Sequence, residues 1–183
     1  MKREKDNRVL VSVKPYVQVN NYECGLACMQ TILSFCGIRL GRLRLKQELG
    51  TSRDTGTSPD SIKRLLRSKK IKFRERHGVS VSELENRISR GEICLVAYQA
   101  WGAKKYFKTL ESGHYSIVIG FDNESLWLMD PNVRGGRVRD KKGVRKIDKV
   151  VFEKRWVDED VNKKEYDHWF LGISKNPLTL ENK

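Results

Sequence analysis

Apolar residues recur at helical spacing in the first half of this chain and as strand-like runs in the second. This change of period near Glu92 limits the fold more than any other feature. From Glu23 to Phe35, Leu26, Met29, Ile32 and Leu33 share one broad face, which predicts a buried helix. Gly37 can stop it, because glycine tolerates the left-handed conformation at a helix end. "LGRLRLKQELG" reads as a short second helix closed by Gly50. "TSPDSIKRLLRSKK" opens a third, with Thr57 or Ser58 as cap and Pro59 in the first turn. "IKFRER" alternates like a strand, and "SVSELENRISRG" is a fourth capped helix stopped by Gly91. "EICLVAYQAW" is then continuously apolar and rich in β-branched and aromatic residues, the pattern of a buried strand. "HYSIVIGFD" and "SLWLMD" follow as strands, with "DNES" as the turn of a hairpin. "GGRVRD" is expected as a fourth strand, "IDKVVFEKRW" as a helix and "HWFLGIS" as a last strand. Helices first and strands later predict an α+β domain, a helical half packed on an antiparallel sheet.

The 183 residues suit one domain with a full core. Residues 1–12 read as a charged lead-in, 13–175 as the domain and 176–183 as a tail. No stretch approaches the roughly 20 apolar residues of a membrane span. "VLVSV" is too short for a signal-peptide core, so a cytoplasmic protein is expected. There the four cysteines stay reduced. No CxxC pair exists and the histidines lie in unrelated segments, so no metal or cofactor is expected.

The net charge of +14 points to polyanions or anionic surfaces. The basic residues crowd Ile62–Arg76 and Val133–Lys146. Neither run carries a helix-turn-helix, a zinc finger or an aromatic RNA-binding strand, which argues against a nucleic-acid partner. Lys63, Arg64, Arg67, Lys69 and Lys70 are expected to form a solvated face that steers an acidic partner.

The chemistry gathers at element ends. Cys24 stands where a polar loop enters the first helix, and a helix N-terminus lowers a thiol pKa. Cys28 lies a turn further in and Cys36 near the end, and both read as apolar filler. His114 opens a strand and is the candidate base. Asp130 ends the next strand, and a hairpin would set it beside His114 to hold the imidazole, with Asp122 as the fallback acid. Gln18, shortly before Cys24, can offer an amide N–H to the same carbonyl as the Cys24 backbone N–H.

The motif Q-x5-[DE]-C-G-L-A-C from Gln18 to Cys28, "GHY" at His114 and "DP" at Asp130-Pro131 resemble the papain-like cysteine peptidases that process double-glycine leader peptides. The resemblance runs from about Val13 to Ile173. It implies a papain-like fold with Cys24 as nucleophile, His114 as general base, Asp130 as orienter and Gln18 in the oxyanion hole. It also implies a peptide substrate, cleaved after small residues such as Gly-Gly. The family's usual Asp before the nucleophile is Glu23 here. In that family the domain is best known at the head of bacteriocin-exporting ABC transporters. No transporter domain follows here, so a stand-alone member is expected. A catalytically silent peptide-binding module and an acyltransferase on the same fold are the alternatives.

Overall fold

The computed structural model describes residues 8–102, 109–132, 143–160 and 162–175. The elements run β1 (Val9–Leu10), α1 (Cys24–Phe35), α2 (Arg42–Leu49), α3 (Pro59–Ser68), β2 (Phe73–Arg76), α4 (Val81–Ser89) and β3 (Ile93–Gln99). After them come β4 (Gly113–Phe121), β5 (Ser125–Met129), β6 (Val144–Asp148), α5 (Lys149–Arg155), β7 (Val157–Glu159), β8 (Glu165–Asp167) and β9 (Phe170–Ile173). The expected strand "GGRVRD" and the tail lie outside the described residues.

Local chemistry sets the helix ends. Ser58 accepts the Ser61 backbone N–H at 3.1 Å and Pro59 opens α3. Gly50 closes α2 in the left-handed region, at φ 63°. Seven strands form one antiparallel sheet in the order β2-β9-β3-β4-β5-β6, with β1 also paired to β4, and β7 and β8 form a separate two-stranded sheet. Every residue of β3 is buried, which explains its unbroken apolar run. Ile93, Leu95 and Ala97 face a core shared with α1, α2 and α3. Cys94, Val96 and Tyr98 face a second core closed by α4 and α5. The domain is α+β, with the antiparallel sheet covered on both faces.

Three local features depart from the sequence pattern. The last helix starts at Lys149, because Ile147 and Asp148 complete β6 opposite Leu126 and Ser125. The Asp148 carboxylate accepts the Val151 N–H at 2.9 Å, so this residue caps the helix that follows it. The charged segment after Trp156 folds into the β7–β8 hairpin, which no hydrophobic alternation announced. Lys63 is only 8% exposed and pairs with Asp60 at 3.0 Å and Glu75 at 3.1 Å, so it does not belong to the solvated basic face. Lys69 pairs with Glu48 at 2.7 Å, while Arg64, Arg67 and Lys70 remain exposed.

The first turn of α1 lies hard against Thr57 and β4. A Cβ on Gly25 would stand 2.7 Å from the Thr57 Cβ and 3.1 Å from the Tyr115 ring. Thr57 cannot yield freely, since its hydroxyl is held by Thr51 at 2.8 Å. Gly25→Ala is therefore expected to destabilise the fold by about 1–3 kcal/mol. Denaturant titration checks this, and an unchanged midpoint would show that the contact is not tight.

Candidate active site

Cys24 is the first residue of α1, and no side chain caps that helix end. The leading N–H groups of a helix have no partners within it, so they favour negative charge there. Glu23, just before the thiol, would oppose a thiolate if its own charge were free. It is not free: Lys46 donates to it at 2.9 Å, and Arg42 forms a second close ion pair. Burial raises the Glu23 pKa, but the hydrogen bonds from Lys46, Arg42 and Asn20 win and hold it at about 2. The carboxylate is engaged by two cations of α2.

His114 stands at the start of β4 and shares the cleft with Cys24, close enough for each group to shift the other's pKa. Its Nε2 lies 2.8 Å from Asp130 Oδ1. With Nε2 committed to the carboxylate, Nδ1 is the ring nitrogen left for the thiol. The β4–β5 register pairs Ile117 with Met129, which sets the start of β4 beside the end of β5. Asp130 is held in turn by the Asn132 N–H at 2.9 Å and faces Arg145 at 3.6 Å. The exposed Trp101 ring lies against the imidazole, centroids 4.8 Å apart, and Tyr98 meets it edge-on at 6.1 Å.

The titrations of these groups are coupled. Burial pushes the Cys24 thiol up, yet the hydrogen bond and charge of His114, with the Tyr115 and Gly25 N–H groups, bring it below its ordinary value. Burial pushes His114 down, yet Asp130 and Cys24 lift it to about 9. Burial raises Asp130, and the His114 contact with the Asn132 N–H lowers it. The thiol is shifted down and the imidazole up, the directions that favour a thiolate beside an imidazolium.

The remaining candidates separate clearly. Gln18 is 7% exposed and its backbone N–H donates to the Pro131 carbonyl at 3.0 Å, beside Asp130. Its Nε2 donates to the Asn20 carbonyl at 3.1 Å, which leaves the second amide hydrogen uncommitted. Cys28 is buried, donates to the Tyr115 carbonyl at 3.5 Å, and burial pushes its thiol well up. Asp122 serves the β4–β5 turn, accepting from Ser125, Trp127 and Lys146, away from His114. His77 stacks on Tyr166, and His168 lies by Asp167 and Trp156.

Sequence reasoning missed Trp101, Gln99 and Asp158. Trp101 ends an apolar run, and nothing local marks it as a cover for an imidazole. Gln99 and Asp158 meet only through tertiary packing, with Gln99 Nε2 3.1 Å from Asp158 Oδ1.

The Peptidase C39 family profile matches residues 12–159. No curated protein matches the sequence significantly. Among solved structures, a C39-like peptidase from Bacillus anthracis is similar, with TM-score 0.66 at 16% identity over 93% of this chain and 99% of that one. A double glycine motif protease from an AMS/PCAT transporter, in complex with the leader peptide, matches with TM-score 0.60 at 16% identity, covering 92% of this chain and 96% of that one. The peptidase domain of Streptococcus ComA, a bi-functional ABC transporter of a quorum sensing pathway, gives TM-score 0.61 at 17% identity over 88% and 98%. At these identities the structures establish the papain-like fold.

The shifted thiol makes a prediction. An ordinary thiol with pKa near 8.5 loses roughly 100-fold in alkylation rate between about pH 8 and about pH 6. Cys24, with its pKa depressed, should lose clearly less of its rate with iodoacetamide across that interval. The imidazolium partner is lost only as pH rises through about 9. Cys28 and Cys94, buried and shifted upward, should not react in the folded protein. His114→Ala should restore the ordinary steep dependence at Cys24. Peptide mapping by mass spectrometry reads all three sites.

Proposed function

The chain belongs to the Peptidase C39 family of cysteine peptidases, and on that premise we propose that it is an active endopeptidase using Cys24, His114, Asp130 and Gln18. The observation that carries this reading is the His114 Nε2–Asp130 Oδ1 contact at 2.8 Å in the cleft that Cys24 also lines, with the thiol shifted down and the imidazole shifted up by each other. The Cys24 thiolate attacks the substrate carbonyl. The oxyanion that develops is met by the Cys24 backbone N–H at the open helix end and by the free amide hydrogen of Gln18. The His114 imidazolium then gives its proton to the leaving amine, and the C–N bond breaks to leave an acyl-thioester on Cys24. Neutral His114 takes a proton from water, which attacks the thioester and releases the acid. Asp130 keeps the ring in the tautomer that presents Nδ1 to sulfur and stabilises its charged form. No metal or cofactor enters any of these steps.

The substrate is a peptide cleaved after small residues, with a double-glycine leader as the first candidate. Two observations support this. A solved double glycine motif protease of the same fold carries its leader peptide. The cleft beside Cys24, at about 230 Å³, is also smaller than the roughly 300–1,000 Å³ of pockets that enclose drug-sized ligands. The exposed Arg64, Arg67 and Lys70 would steer an acidic part of the substrate or of a partner toward the domain. The four free thiols fit a cytoplasmic site of action.

A fluorogenic peptide containing Gly-Gly tests the reading. Cys24→Ala and His114→Ala should abolish cleavage. Asp130→Asn should lower turnover by about 10- to 1000-fold, or about 1.4–4 kcal/mol of barrier. Gln18→Ala should lower it by about 100-fold. A Cys24→Ala protein that still cleaves at the wild-type rate rejects the mechanism. Product masses showing an added amine in place of water would identify an acyltransferase instead.

A further inference from the structure

The cleft that holds Cys24 and His114 is bounded on one side by β7, where Asp158 faces it. This carboxylate is built into the site. Its Oδ1 accepts Gln99 Nε2 at 3.1 Å and the Glu159 N–H at 3.0 Å. Gln99 Oε1 in turn accepts the Ser112 N–H at 2.9 Å, so the carboxylate is tied to the segment that delivers His114. Gly113, the residue before His114, leaves space for it: a Cβ there would stand 2.5 Å from Asp158 Oδ1. Oδ2 has no hydrogen-bond partner among the described residues. The wider cleft has the same sign. Glu159 and Asp160 also line it, and no Lys or Arg does among the described lining residues. In a chain of net charge +14 that is a reversal of the surrounding field.

We propose that Asp158 is a specificity-determining residue that accepts a cationic group of the substrate, an ammonium or guanidinium, next to the scissile bond. The proposal rests on the reading of Cys24 as the nucleophile of this cleft. The source is a Lys or Arg side chain or a free α-amino group, and both present N–H donors to a carboxylate. The groups that face Asp158 are Gln99 from β3, His114 and Tyr115 from β4, and Glu159 beside it on β7. Burial is the main reason that its carboxyl is pushed up to about 7. A cation bound there favours the ionised form, so the selectivity is strongest above about pH 7 and fades as Asp158 protonates below it.

The test has two arms at about pH 8, where the carboxylate is ionised. The first uses peptides bearing Lys, Gln or Glu at each of the two positions on either side of the cleaved bond, and a matched series with a free or acetylated N-terminus. At one position the wild-type enzyme should prefer Lys to Glu in kcat/KM by about 10-fold or more, and Asp158→Asn should remove that preference. A preference confined to the free N-terminus would assign the cation to the α-amine. A merely structural role would lower all peptides alike. The second arm needs no substrate: the alkylation rates of Cys24 by anionic iodoacetate and neutral iodoacetamide are compared. Asp158→Asn should raise the iodoacetate-to-iodoacetamide ratio by about 3- to 10-fold. An unchanged ratio overturns the proposal, as does a wild-type enzyme indifferent to charge at every position. If no peptide is cleaved, the peptidase reading falls and the alkylation ratio alone decides whether Asp158 sets the charge of the cleft.

Discussion

The meeting of Cys24 with His114 in their shared cleft, backed by Asp130, is the contact on which the rest of the site depends. Burial alone disfavours both charges, raising the thiol and lowering the imidazole. The shifts run the other way because each group meets more than its partner. Asp130 stands 2.8 Å behind His114, and backbone N–H groups of Gly25 and Tyr115 face the sulfur. These contacts need three elements to converge: the start of α1, the start of β4 and the end of β5. The tight seat of Gly25 against Thr57 and Tyr115 brings the first of these onto the second. The antiparallel β4–β5 register brings the third.

Charge is managed with equal care around this centre. Glu23 would be an adverse neighbour for a thiolate, and two cations from α2 neutralise it. Lys63 answers Asp60 and Glu75 at the packed side of α3. The cations left exposed on that helix and its exit lie outside the cleft, whose described charged lining is acidic apart from His114 itself. Charge is thus segregated by sign, with basic residues on a remote surface and acidic ones on the wall of the cleft.

The sheet shows why some of the fold was legible and some was not. The unbroken apolar run of β3 announced burial on both faces, because a strand between two cores has no polar side to show. The caps of α3 and the glycine stop of α2 are local chemistry, written within a few residues. Val9–Leu10 pairs with β4 for only two residues, too few for any alternation to register. The β7–β8 strands are short and charged, and their pairing owes more to the turn between them than to a hydrophobic pattern. The sequence pattern places Asp148 inside a helix that it caps, since a capping residue and a helical residue differ by one backbone conformation.

By itself the sequence determined the class of the fold and the identities of the residues at the head of α1, the start of β4 and the end of β5. Such residues can be read because their chemistry is tied to element ends, and element ends are marked by short-range signals. Tertiary structure alone decided that Trp101 lies on the imidazole, that Glu23 turns to α2, and that Asp158 joins Gln99 at the wall of the cleft. Gln99 and Asp158 are 59 residues apart in the chain. No local propensity couples positions at that distance. Their meeting is set by how β7 packs on β3 and β4, and that packing is decided by the side chains of the whole core acting together.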